Sequence, residues 1–238
     1  MRVQRNIFNM LKFKRKKPFN FLTSLIYKFN KILLISPETK FKLYANLESI
    51  FTRLASETSH DLFKDKIHIN REDFFDFLKN KIKSNDILLD VGCGDGNISN
   101  ILSNYCKKII GVDHNINNIQ LAKNNFANEK TEFIHDDIFK FLNKRKDIVD
   151  ITICSHVLEH LDNPEEFLSE IKQFTKFLFV EVPDFESSYL NLIKKEKSLG
   201  INYTDDDHIY EFDRASIKKI FKKTGLEIID EYYRFGIM

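Results

Sequence analysis

Three glycines within five residues, Gly92, Gly94 and Gly96, and an aspartate 21 residues after the first, Asp113, have the types and spacing that bind a nucleoside. The whole chain holds only seven glycines. Glycine in such a turn accepts positive φ and lets a ligand approach the backbone. A carboxylate at that offset suits a ribose diol. A second group has side chains that move protons or hold cations. These are His156, Glu159 and His160 in the run His-Val-Leu-Glu-His, and His208 beyond the acidic run Asp205 to Asp207.

Those residues work only if the chain positions them. The run Ile87 to Val91 reads as a buried strand, and Ile98, Ile101 and Leu102 open a helical pattern just after Gly96. The glycines therefore occupy a strand-to-helix turn, where helix N–H groups face a ligand. The alternation continues. Strands are expected at 87–91, 108–112, 131–134, 148–154 and 176–182, and helices at 97–104, 115–126, 138–143 and 164–173. That order predicts an α/β fold: a doubly wound, mostly parallel sheet with helices on both faces. Ligands of such sheets bind beyond the carboxyl ends of the strands, where every motif above falls. The same placement argues against a zinc peptidase, although His156 to His160 fits H-x-x-E-H, because the motif follows a sheet strand.

The run Leu89-Asp90-Val91-Gly92-Cys93-Gly94-Asp95-Gly96, followed by Gly111-Val112-Asp113, resembles the first two cofactor motifs of the class I S-adenosylmethionine-dependent methyltransferases. The resemblance covers roughly residues 72–235 and implies a Rossmann-like fold that binds S-adenosylmethionine. It implies cofactor contacts from Asp90, Gly92, Cys93, Gly94, Gly96, Asp113 and His114, from Asp136, Asp137 and Ile138 after the third strand, and from Ser155 after the fourth. Asp137 aligns best with the acid that meets the adenine amino group, Asp136 is the alternative, and an Asp there equally caps the next helix. Ser155 to His160 is similar to a family segment that commonly reads Glu-Val-Leu-Glu-His, with His156 in place of the first Glu. In ubiquinone-pathway and small-RNA 2′-O-methyltransferases, that segment and a later His hold a divalent metal. The resemblance thus implies an acceptor site at Glu159, His160 and His208, with His156 beside them. A metal there is an open alternative to general-base work and is not predicted. His156 would make the set richer in nitrogen and shift a metal preference towards zinc.

Composition narrows the partners. Of 37 basic and 35 acidic residues, nine basic and no acidic ones fall within residues 1–37, so the remainder is net acidic by seven. An acidic body argues against a nucleic-acid substrate. The basic start is interleaved with Phe, Leu and Ile and predicts a helix over 19–35, too interrupted by Lys28 and Lys31 to span a bilayer. It reads either as a packed helix with a solvated face or as a foot on anionic lipid. Further helices are expected at 38–57, 71–82, 186–197 and 214–223, with a last strand over 226–233. Cys93, Cys106 and Cys154 show no C-x-x-C spacing, the pattern of reduced thiols in a cytoplasmic protein.

The expected organisation is a basic N-terminal helical extension or lid over 1–70 and a methyltransferase domain over 71–238. The expected activity is O-methylation of a small molecule or sugar, with a lipid-carrier-linked glycan acceptor in view. The alternatives are N-methylation of an amine and an inactive methyltransferase fold serving as a binding subunit. The expected location is the cytoplasm, with the inner membrane face as a variant. Acceptor identity and oligomeric state are not legible.

Overall fold

Five apolar runs become five parallel strands in a computed structural model that describes residues 20–61, 69–145, 147–199 and 207–233. They are β1 (Ile87–Val91), β2 (Lys108–Asp113), β3 (Thr131–His135), β4 (Val149–Ser155) and β5 (Thr175–Glu181). Their order in the sheet is β3-β2-β1-β4-β5, all parallel. Strand order reverses beside β1, which pairs with β2 on one side and β4 on the other, and this opens a crevice at the carboxyl ends. Each strand lies within a residue of its expected bounds, and β1, β2 and β4 are buried along almost their whole length, which leaves few alternatives.

Before the sheet come helices α1 (Asn20–Ile32), α2 (Pro37–Asp61) and α3 (Ile69–Lys79). Between strands lie α4 (Asn97–Leu102), α5 (Ile116–Phe126), α6 (Ile138–Lys144) and α7 (Pro164–Ile171). After the sheet come α8 (Tyr189–Glu196) and α9 (Arg214–Lys223). The chain forms two compact units, Met1–Tyr44 and Ala45–Met238. The second unit has two apolar layers, set by the two-residue period of the strands. Leu89, Val91, Ile110 and Val112 pack with Phe141, Leu142, Phe167 and Leu168 on one face. Leu88, Ile109, Ile151 and Ile153 pack with Phe74, Leu78 and Leu102 on the other.

The expected strand over 226–233 does not form. None of its residues joins the sheet, so β5 is an edge strand among the described residues. Side-chain contacts with helices hold the segment instead. Tyr232 stacks on Phe77 with ring centroids 4.4 Å apart, Glu231 pairs with Lys218 at 2.7 Å, and Arg214 lies over the Tyr233 ring.

Helix α9 starts at a reciprocal cap. Asp213 accepts the Ser216 N–H at 2.7 Å, and the Ser216 hydroxyl bonds back to Asp213. Lys195 reaches the same carboxylate at 3.0 Å and ties α8 to α9. The Ser216 N–H first, and Lys195 next, pull the Asp213 carboxyl from 3.8 down to about 2. A depressed carboxyl stabilises the fold above its ordinary value and loses that contribution as pH falls towards the folded value. Asp213→Ala is therefore expected to cost about 1 kcal/mol at neutral pH. Urea titrations stepped from neutral pH down through 3.8 should show the gap to wild type closing. A gap that does not depend on pH would contradict the assigned cause.

Candidate functional site

The glycine turn links β1 to α4, and its three glycines all take positive φ: 65° at Gly92, 54° at Gly94 and 84° at Gly96. At Gly96 the requirement is also steric, since a Cβ there would lie 2.8 Å from the Phe133 ring. At Gly94 a Cβ would meet nothing within 4 Å, so the turn leaves open space on that side. The Asp113 carboxylate, at the end of β2, borders that turn. Its Oδ2 accepts the Gly94 N–H at 2.8 Å and its Oδ1 accepts the Asn115 N–H at 2.7 Å. Asp113 is buried, so this one carboxylate fixes two loops while retaining lone pairs for a diol.

The other expected cofactor residues surround this turn in different roles. Buried Asp90 accepts the Ser99 hydroxyl at 2.6 Å and so anchors the start of α4. Cys93 is buried, and that burial pushes its thiol well above its usual range, so it contributes backbone and bulk, not a nucleophile. His114 is exposed, and its carbonyl accepts the His135 Nε2–H at 3.0 Å. Asp136 is tied to Lys144 at 2.6 Å, which holds its carboxyl below the ordinary value. Asp137 caps α6 by accepting the Lys140 N–H at 3.1 Å, and Ile138 follows as the first helical residue. Ser155 donates its hydroxyl to Glu181 at the end of β5, 2.6 Å away.

The second group forms at the ends of β4 and β5. Val157 leads into a single 3₁₀ turn, Leu158–His160, which places Glu159 and His160 side by side. His208 reaches them through the backbone. The Ile209 and Tyr210 N–H groups both donate to the Glu159 carbonyl, at 2.7 and 3.1 Å, and the Tyr210 hydroxyl donates to the Asp162 carbonyl. One ligating atom from each of Glu159, His160 and His208 then lies within 4.8 Å of the others. The two imidazoles meet edge to face with centroids 4.8 Å apart.

Each member is held from behind. His208 Nδ1 is 3.1 Å from Glu211 Oε1, and both side chains are buried. His160 Nδ1 donates to the Asp207 carbonyl at 3.2 Å. Glu159 is fully buried, with Oε1 3.1 Å from His156 Nδ1, while its Oε2 has no hydrogen-bond partner among the described residues. A buried carboxylate oxygen left that way is costly unless a cation or proton meets it.

His156 differs from the expectation. It does not join the three-residue group. Its backbone sits in the left-handed region at φ 56°, and its ring lies between Glu159 and Glu181, with Nε2 3.8 Å from Glu181 Oε2. It therefore braces Glu159 and does not enlarge the donor set. Glu181 and Glu211 carry no motif signal and were missed. The weak cues available were an acid at a strand end and an acid three residues after a histidine.

Known proteins resemble this chain in sequence and fold. A family model described as a methyltransferase domain matches residues 62–231. The ubiquinone biosynthesis O-methyltransferase of Rickettsia canadensis is 30% identical over 172 residues, covering 64% of this chain and 70% of that protein. The mitochondrial ubiquinone biosynthesis O-methyltransferase of Dictyostelium discoideum is 31% identical over 101 residues, covering 37% and 32%. The chain spans about half the length of most curated relatives it matches. In fold it resembles an S-adenosylmethionine-dependent methyltransferase from Archaeoglobus fulgidus, with TM-score 0.52, 22% identity and coverage of 70% and 72%. It also resembles the magnesium protoporphyrin IX methyltransferase of Synechocystis, solved with bound S-adenosylhomocysteine, with TM-score 0.51, 20% identity and coverage of 71% and 80%. With the glycine turn, the Asp113 carboxylate and the open space at Gly94, these matches make S-adenosylmethionine the cofactor, and the chain belongs to the class I S-adenosylmethionine-dependent methyltransferases.

Proposed function

We propose that this enzyme methylates a hydroxyl oxygen of a small-molecule acceptor lying over the carboxyl ends of β4 and β5. The observation that carries this reading is the convergence of Glu159, His160 and His208 beside the nucleoside turn, on the side of β1 away from Asp113. Two of the relatives named above are O-methyltransferases of ubiquinone biosynthesis, which supports oxygen over nitrogen as the accepting atom.

When bound, S-adenosylmethionine supplies an electrophilic methyl group for in-line displacement, and little else is asked of the protein than position and proton transfer. Asp113 would hold the ribose end. A hydroxyl has to lose its proton as it attacks, and His160 or His208 is the nitrogen base placed to take it. Glu211 behind His208 keeps the ring oriented. The donor set, one carboxylate oxygen and two imidazole nitrogens, also fits a divalent cation, and such an ion would satisfy Glu159 Oε2 and lower the hydroxyl pKa.

The test is methyl transfer from labelled cofactor to a panel of catechols, quinols, glycosides and primary amines, with and without a chelator. Product on hydroxyl acceptors is expected. Transfer to amines alone, or none to any hydroxyl by cofactor-bound enzyme, would overturn the reading. Loss of transfer in the chelator, restored by a divalent cation, would assign the group to a metal. Insensitivity would assign it to general-base work.

A further inference from the structure

Helix α1 is folded inside out. At ~100° per residue, Phe21, Leu22, Leu25, Ile26, Phe29 and Ile32 form one continuous face roughly 140° wide. An apolar face of that width ordinarily packs into a core. Here all six side chains are between 52% and 81% exposed. The helix is tethered by its polar side instead. Tyr44 donates its hydroxyl to Asn30 Oδ1 at 2.9 Å, and Lys40 donates to the Asn30 carbonyl at 3.0 Å. Among the helix residues whose burial is described, only Thr23 and Asn30 are half-buried, and both belong to that polar side. Leu34 and Ile35, just beyond the helix, extend the exposed apolar surface.

The charge of this part of the sequence is one-sided. Residues 1–37 carry nine Lys or Arg and no acid, and Lys28 and Lys31 lie on α1 itself, both exposed. No described helix is long and apolar enough to cross a membrane. A 13-residue helix is about 20 Å long, which suits lying in an interface and not spanning one. We propose that α1 lies flat on an anionic lipid surface, with Phe21, Leu25, Phe29 and Ile32 among the acyl chains and Lys28 and Lys31 at the headgroups. Anionic lipid is the occupant that satisfies both features. Apolar burial needs any greasy partner, but a stretch of sequence with nine basic residues and no acidic one favours a negative partner. A second copy of the chain would add nine more positive charges against the first nine.

The test uses the full chain and sedimentation with vesicles, either pure phosphatidylcholine or the same lipid with roughly a third phosphatidylglycerol. Binding should require the anionic lipid and weaken as salt shortens the screening length. A Leu25→Glu, Phe29→Glu variant puts two charges on the apolar face at residues more than half exposed. It should lose at least about tenfold in partition, as should Lys28→Glu, Lys31→Glu. S-adenosylmethionine affinity, measured alongside, should be unchanged in both and reports that the methyltransferase unit is folded. Wild-type partition of either variant, equal binding to uncharged vesicles, or a dimer in solution that the Leu25→Glu, Phe29→Glu variant dissociates would each overturn the proposal.

Discussion

His208→Ala should lower kcat/KM for methyl transfer by roughly 100- to 10,000-fold, the range for a lost general base, while leaving S-adenosylmethionine affinity within about twofold. The split follows from position. His208 stands with Glu159 and His160 beyond β4 and β5, whereas the nucleoside turn and Asp113 lie at the ends of β1 and β2. Removing the imidazole takes away a proton acceptor or a cation ligand, and it leaves buried Glu211 facing a void. Glu211→Gln tests the support separately. It keeps the shape but puts an amide in place of the carboxylate that faces His208 Nδ1, so a loss of about tenfold in kcat is expected, with KM little changed. A purely structural Glu211 would alter stability and leave kcat in place. Wild-type turnover by His208→Ala, with cofactor bound, would remove His208 from the chemistry.

Asp113→Ala should weaken S-adenosylmethionine binding by at least tenfold in calorimetry. A hydrogen bond to a charged group is worth about 1.5–3 kcal/mol, which alone spans roughly ten- to over a hundredfold. The structure adds a second cost. The same carboxylate holds the Gly94 and Asn115 N–H groups, so its loss leaves two donors without their acceptor and frees the turn that shapes the site. Asp113→Asn keeps one acceptor oxygen and should fall between wild type and Asp113→Ala. Unchanged affinity in a folded Asp113→Ala protein would refute the nucleoside role of this carboxylate.

The sequence by itself determined the sheet and the nucleoside turn, because both are local. A strand buried on both faces needs a near-continuous apolar run, and Ile87 to Val91, interrupted only by Asp90, and Ile109 to Val112 supply it. Positive φ at three closely spaced positions needs glycine, and Gly92, Gly94 and Gly96 stand there. The spacing to Asp113 follows from one helix and one strand of ordinary length. The failed strand after Gly225 shows the limit of that local argument. Residues 226–233 have apolar members, but whether they join an edge depends on what else competes for them, and Phe77, Lys218 and Arg214 do.

Only the tertiary structure decided the second site. His208 lies 48 residues after His160, and nothing in the spacing says that Ile209 and Tyr210 will bond to the Glu159 carbonyl. The motif suggested His156 as a fourth member, and its left-handed backbone turned the ring towards Glu159 and Glu181 instead. The carboxylates behind the site, Glu181 and Glu211, could not be read from residue type because their role is set by what they face. The direction of α1 is the same kind of fact. Its amphipathic pattern was written in the chain, but a period of 3.6 residues says that two faces exist, not which one is turned to the solvent. Asn30, bonded to Tyr44 and Lys40, turns the polar face towards the first turns of α2 and leaves the apolar one exposed.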